Sequence, residues 1–270
     1  MLRPYTAENK TPDMNDDDFY IGYHGKAPAG TAATMRKVVG ALLASGVLVA
    51  VLLVISQQPF YPSVWEYLQY RTFEGVLSEQ PYPTLRVERP GTAGALPSHS
   101  RYYLVNEGKI GVEETVAGLD NQPVRLQGSL IYRDDQTMIE LRPGSTVESV
   151  AEPSQTTTGS PEGRSLGAFT LQGEIVDSKC FLGVMNPGSL KPHRACAIRC
   201  ISGGIPPVLA VRAATGETTY LLLVSADGQA VNKDVLGLIA EPVEITGEVV
   251  QHENLLTLYA DPSTYLRIDP

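Results

Sequence analysis

Between residues 38 and 56 the chain reads Val-Val-Gly-Ala-Leu-Leu-Ala-Ser-Gly-Val-Leu-Val-Ala-Val-Leu-Leu-Val-Ile-Ser, without a charge or an amphipathic break. A helix over that run spans roughly 27 Å, close to the hydrocarbon thickness of a bilayer. A cleaved signal peptide fits poorly, because its apolar region is normally about 7–15 residues and its leading segment short and basic. The pattern predicts a single-pass membrane anchor. Arg36 and Lys37 abut its N-terminal side, and no basic residue follows it before Arg71. The positive-inside rule therefore places the N-terminus in the cytoplasm, the helix in the inner (cytoplasmic) membrane, and the rest on the periplasmic or extracellular side. Phe60, Tyr61, Trp65 and Tyr67 read as an aromatic belt at the outer interface.

Beyond residue 70 the pattern changes to short apolar–polar alternations broken by turn residues, the mark of half-buried strands. It also repeats. Val116-Ala-Gly-Leu-Asp-Asn-Gln-Pro-Val-Arg-Leu-Gln-Gly128 aligns without a gap to Val235-Leu-Gly-Leu-Ile-Ala-Glu-Pro-Val-Glu-Ile-Thr-Gly247. Upstream, Phe73-Glu-Gly-Val-Leu matches Leu171-Gln-Gly-Glu-Ile, Pro83-Thr-Leu-Arg-Val matches Pro207-Val-Leu-Ala-Val, and Tyr103-Leu-Val matches Tyr220-Leu-Leu. Each copy predicts five strands: 73–78, 84–88, 102–106, 124–132 and 137–141 in the first, and 170–177, 208–212, 219–224, 243–251 and 255–260 in the second. Helical turns at 115–119 and 233–239 fall between the third and fourth strands. Five strands with a helix at that place predict a small Greek-key barrel of the OB type, with a two-sheet sandwich as the alternative. The expected organisation is a tail (1–37), a transmembrane helix (38–56), a first OB-like module (57–144), a Ser/Thr/Pro/Gly-rich linker (145–167) and a second OB-like module (168–270).

The copies differ at one place. Eight residues lead from Gly75 to Pro83, whereas thirty-four lead from Gly173 to Pro207. The insertion, 178–206, holds all 3 cysteines of the protein. Pro192 suits a first helical turn and Gly203-Gly204 a stop, which predicts a helix of about ten residues between them. His193, Cys196 and Cys200 fall at i, i+3 and i+7, one face of that helix. Cys180, at the end of the preceding strand, could fold over the same face.

Such a patch admits three chemistries. Cys180 could form a disulfide with Cys196 or Cys200, as the oxidising side of a membrane favours. Cys180, His193, Cys196 and Cys200 could form a Cys3His site for zinc, with the thioether of Met185 tilting the choice toward copper. Or His193 could help a thiolate in a redox exchange, although no C-x-x-C is present.

The stretch Asp177-Ser-Lys-Cys180, then His193-Arg-Ala-Cys196-Ala-Ile-Arg-Cys200-Ile-Ser-Gly-Gly204, resembles an uncharacterised family of small exported bacterial domains. Those domains share a D-x-x-C strand end, a histidine, C-x3-C and a glycine pair. The resemblance spans about 169–262 and implies an exported OB-like domain with a Cys/His site, but no reaction. The architecture also resembles the periplasmic haem chaperone of cytochrome c maturation, whose His-then-Tyr haem attachment pattern is absent here.

Composition narrows the function classes. A net charge of −9, without a Lys/Arg cluster, leads to the expectation of no nucleic-acid partner. No G-x-S-x-G, H-E-x-x-H, Walker or Rossmann pattern occurs, so no catalytic residue is assigned. Asp134-Asp135 and Glu253-Asn254 occupy equivalent hairpins and read as turn chemistry. In the tail, Asp16-Asp17-Asp18-Phe19-Tyr20-Ile21-Gly22-Tyr23 reads as a docking segment anchored by Phe19, Tyr20 and Tyr23. The expectation is a membrane-anchored, non-enzymatic accessory or interaction subunit of a membrane complex, redox assemblies included, with a membrane-protein partner. The alternative is a metal-binding or thiol-handling protein acting on exported clients.

Overall fold

Ala29–Ser56 forms one helix, α1, with no buried residue. The computed structural model describes residues 27–56, 63–89, 98–150 and 163–268. The helix is long and apolar enough to cross a membrane. It starts upstream of the apolar run because Ala, Met, Arg and Lys all propagate a helix readily. The docking residues Phe19, Tyr20 and Tyr23, together with Phe60 and Tyr61, lie outside the described residues.

The first barrel is built from β1 (Ser63–Trp65), β2 (Arg71–Ser78), β3 (Thr84–Arg89), β4 (Ser98–Val105), α2 (Glu113–Val116), β5 (Pro123–Arg133), β6 (Gln136–Leu141) and β7 (Glu148–Ser149). The second comprises β8 (Arg164–Asp177), α3 (Leu190–Ser202), β9 (Pro207–Arg212), β10 (Thr218–Val224), β11 (Pro242–His252), β12 (Leu255–Tyr259) and β13 (Leu266–Arg267). Strand order runs β5-β2-β3-β4-β6 in one and β11-β8-β9-β10-β12 in the other. The β5–β6 and β11–β12 pairings close each sheet on itself, so both are barrels and the sandwich alternative falls. One neighbouring pair in each is parallel: β4 with β6, at Leu104 beside Ile139, and β10 with β12, at Leu222 beside Thr257. This is the OB arrangement, twice.

The glycines that recur in the two copies mark where the backbones approach most closely. A Cβ on Gly128 would come within 2.5 Å of the Glu140 carbonyl oxygen, and one on Gly247 within 2.3 Å of that of Tyr259. Gly75 and Gly173 meet the carbonyls of Arg86 and Ala210 in the same way, at 2.4 and 2.6 Å. A side chain at any of them would push apart strands that must pair for the barrel to close.

Several elements outrun their sequence patterns. β8 starts at Arg164 because its first half pairs with β11 from Arg164 beside Gln251 onward, and that partner overrides the weak strand propensity of Ser165 and Gly167. β4 starts at Ser98, paired with Arg89 of β3. Trp65, expected in the aromatic belt, pairs with Ile131 through β1 and packs on the barrel core.

Each barrel has its own core, Leu77, Leu104, Val124 and Leu126 in one and Leu209, Leu221, Val243 and Ile245 in the other. A third core is shared. Tyr82, Tyr103, Val105 and Met138 of the first barrel meet Val176, Phe181, Val208 and Leu222 of the second. Alternate residues of one strand thus serve two cores, Leu104 facing inward while Tyr103 and Val105 face the other barrel. Burial of this kind stabilises by about 1.5–3 kcal/mol per large apolar side chain.

Polar contacts tie the barrels reciprocally. The hairpin of the first reaches the second: the Tyr220 hydroxyl donates to Asp134 at 2.7 Å. The equivalent hairpin of the second reaches back, Glu253 accepting from Arg86 and Arg101 and Asn254 from the Arg101 backbone N–H at 2.7 Å. Asp134 and Glu253 both adopt positive φ, as hairpin-turn residues do. They are turn residues as expected, and inter-barrel bridges as well.

Candidate functional site

β8 delivers Asp177 into the protein interior, and a π-type turn over Cys180–Val184 follows at once. The Asp177 carboxylate accepts the Cys180 backbone N–H at 2.8 Å through Oδ1, which fixes the start of that turn. Helix α3 follows with Pro192 in its first turn and Gly203 at its end, as the sequence pattern requires. The face carrying His193, Ala197, Cys200 and Ile201 is buried, with Cys196 half-buried at its margin.

The turn and the helix bring the three thiols together. The Sγ of Cys180 lies 3.9 Å from that of Cys196 and 4.0 Å from that of Cys200, and all three sulfurs sit within 4.8 Å of one another. All three are free thiols. His193 does not join them as a fourth donor. Its Nε2 faces Asp177 Oδ2 at 3.0 Å, forming a separate buried group with Asp177 and Cys180. The four predicted site residues therefore occupy one region as two adjoining donor sets that share Cys180.

Two lysines complete the site. Lys179, only 3% exposed, pairs with Glu140 at 2.6 Å and donates to the carbonyls of Asn106 and Gly108 at 2.8 Å each. Those bonds hold a loop of the first barrel over the second. From its tip the Lys109 ammonium lies 2.6 Å from Cys196 Sγ and 3.8 Å from Cys200 Sγ. The Gly111 N–H donates to the Gly203 carbonyl at 2.8 Å, and a Cβ on Gly203 would lie 2.0 Å from the Lys109 carbonyl oxygen. The first of the Gly203-Gly204 pair thus lets the loop reach the sulfurs.

This environment separates the thiols. The contact with the Cys200 sulfur, with burial and the nearby Asp177 charge, pushes the Cys180 thiol well above the usual range. The same contact lowers Cys200, helped by the Lys109 charge. The Cys196 contact holds the Lys109 ammonium above its ordinary value. Beside the cluster lies a cleft of about 290 Å³ lined by Trp65, Tyr67, Lys109, Cys180, Met185 and Cys200. Asp177 and Lys179 were visible as the D-x-K-C motif without a role; nothing in the sequence marked Lys109 or Glu140, which arrive from the other barrel.

No protein-family model matches the chain, and no curated protein matches it. Among solved structures it is similar to a deletion mutant of the single-stranded DNA-binding protein from Thermus aquaticus, at 13% identity over 77% of this chain and 96% of that one, with a TM-score of 0.22. The expectation that nucleic acid is excluded as a partner is corrected by that match and withdrawn. The exclusion rested on net charge and on the lack of a Lys/Arg cluster along the sequence, whereas OB barrels take single strands in a groove assembled by the fold. A likeness of this degree assigns no ligand to the chain, and it offers no counterpart for the expected membrane-protein partner.

Proposed function

We propose that the chain is a membrane-anchored metal-binding protein that holds one thiophilic ion, zinc or copper, on Cys180, Cys196 and Cys200. The observation that carries this reading is the sulfur spacing. An ion with metal–sulfur bonds of about 2.3 Å sets its sulfurs about 3.8 Å apart in a tetrahedral shell and about 4.0 Å apart in a trigonal one; here the two separations are 3.9 and 4.0 Å. Lys109 offsets the charge that three thiolates would carry. Arg36 and Lys37 support a cytoplasmic N-terminus, which puts the barrels and their site across the membrane. Of the two functions the sequence suggested, metal handling is the one with a built site behind it.

The test is elemental analysis of the full chain, purified in detergent, with thiol titration under denaturing, non-reducing conditions before and after chelation. One equivalent of metal, with all three thiols titrating after chelation, is the expected result. One free thiol and no metal would replace this reading with a structural disulfide from Cys180.

A further inference from the structure

We infer that the site is built for a monovalent soft ion of the cuprous class, held by three sulfurs alone and delivered through the thioether of Met185. This deepens the metal-binding reading and rests on it. Zinc sites take four protein ligands when structural, or three and a water when catalytic. The fourth donor the sequence offers, His193, is turned to Asp177 at 3.0 Å, and both side chains are buried, 4% and 0% exposed. Lys109, from the outer side of the cluster, brings an ammonium against Cys196, and an ammonium is not a ligand. The set that contains all three cysteines is sulfur only, which suits a soft monovalent cation.

Met185 supplies the route. It follows directly on the turn that carries Cys180, and it lines the same cleft as Cys180 and Cys200. It is 48% exposed, whereas Cys180 and Cys200 are 3% and 1% exposed. A thioether is neutral, carries no proton to lose, and binds a cuprous ion far better than zinc. The ion would meet Met185 at the solvent and pass inward to the sulfurs. In that transfer the metal–thioether bond breaks, three metal–thiolate bonds form, and the displaced thiol protons go to water. The ion remains cuprous throughout. Trp65 and Tyr67, with ring centroids 4.6 Å apart, form one wall of the same cleft, which Glu107 and Glu140 also line.

The test uses the full chain in detergent, reduced and anaerobic, titrated with cuprous ion against a competing chromophoric chelator and separately with zinc, with X-ray absorption on the loaded protein. One cuprous ion in a three-sulfur shell without nitrogen, bound far more tightly than zinc, is expected. Met185→Leu should leave the equilibrium affinity within about threefold while slowing loading about tenfold, with an unchanged circular dichroism spectrum. Tighter zinc binding in a three-sulfur, one-nitrogen shell would overturn the inference while leaving the metal-binding reading standing. Unchanged loading in Met185→Leu would overturn the delivery route. Failure to bind either ion would overturn both.

Discussion

The Lys109 ammonium and the Cys196 sulfur stand 2.6 Å apart across 87 residues of chain and across the boundary between two barrels. A site whose donors all belong to the second barrel is thereby completed by the first.

Replacing Lys109 with methionine keeps the length of the side chain and removes its charge. Because the residue is largely exposed, the expected loss in metal affinity is modest, roughly two- to fivefold. It should shrink at high ionic strength, and Lys109→Arg should restore it. Chelator competition measures the effect, and the unfolding temperature should not change.

Asp177 has the larger structural task. Its two oxygens separately hold the Cys180 backbone N–H and the His193 ring, with no exposure to solvent. Asp177→Ala would leave both partners buried without an acceptor, at a cost of about 3 kcal/mol. For a domain of this size that lowers the melting temperature by about 6–12 °C. Asp177→Asn keeps an acceptor oxygen and should lose less. Thermal unfolding followed by circular dichroism separates the two variants.

The repeat glycines admit a matched comparison. Gly247→Ala places a methyl group 2.3 Å from the Tyr259 carbonyl and should destabilise by about 1–3 kcal/mol. Gly237→Ala, also a position shared by the two copies, meets nothing within 4 Å. It should be neutral or stabilising by up to about 1 kcal/mol. Urea unfolding midpoints of the two variants should move in opposite directions or differ clearly in size.

His252, half-buried at the end of β11, has its pKa lowered by burial and by the neighbouring Arg101 charge. In the interval from the unfolded value of about 6.5 down to the folded one, the unfolded chain binds the proton more readily. Stability should therefore be fully present above that interval and fall as the pH drops through it. His252→Gln should flatten that part of the profile, read from urea midpoints at successive pH values.

The barrels were legible because their information is local. Alternation gave the strands, and the recurrence of Gly128 as Gly247 gave the equivalence of the two halves. The glycines that revealed the repeat are the ones that strand contact requires. The cysteine face of α3 was legible for the same reason, since i, i+3 and i+7 fix a direction on a helix. The choice His193 makes between Cys196 and Asp177 was not, because spacing sets the face and not the rotamer. Lys109 carried no signal, since a lysine in a loop becomes part of a site only through the packing of one barrel on the other. That packing did leave a trace. Tyr102-Tyr-Leu-Val105 and Tyr220-Leu-Leu-Leu-Val224 are continuous apolar runs, as strands buried on both faces produce.

The core that the barrels share makes the peptide joining them dispensable to their association. A protease cut anywhere in 151–162 would leave two polypeptides still held by Tyr103, Val105, Phe181 and Leu222 and by the two exchanged hairpins. The halves should then behave as complementary fragments of one body. The two copies of the barrel are joined by their contact as well as by the chain.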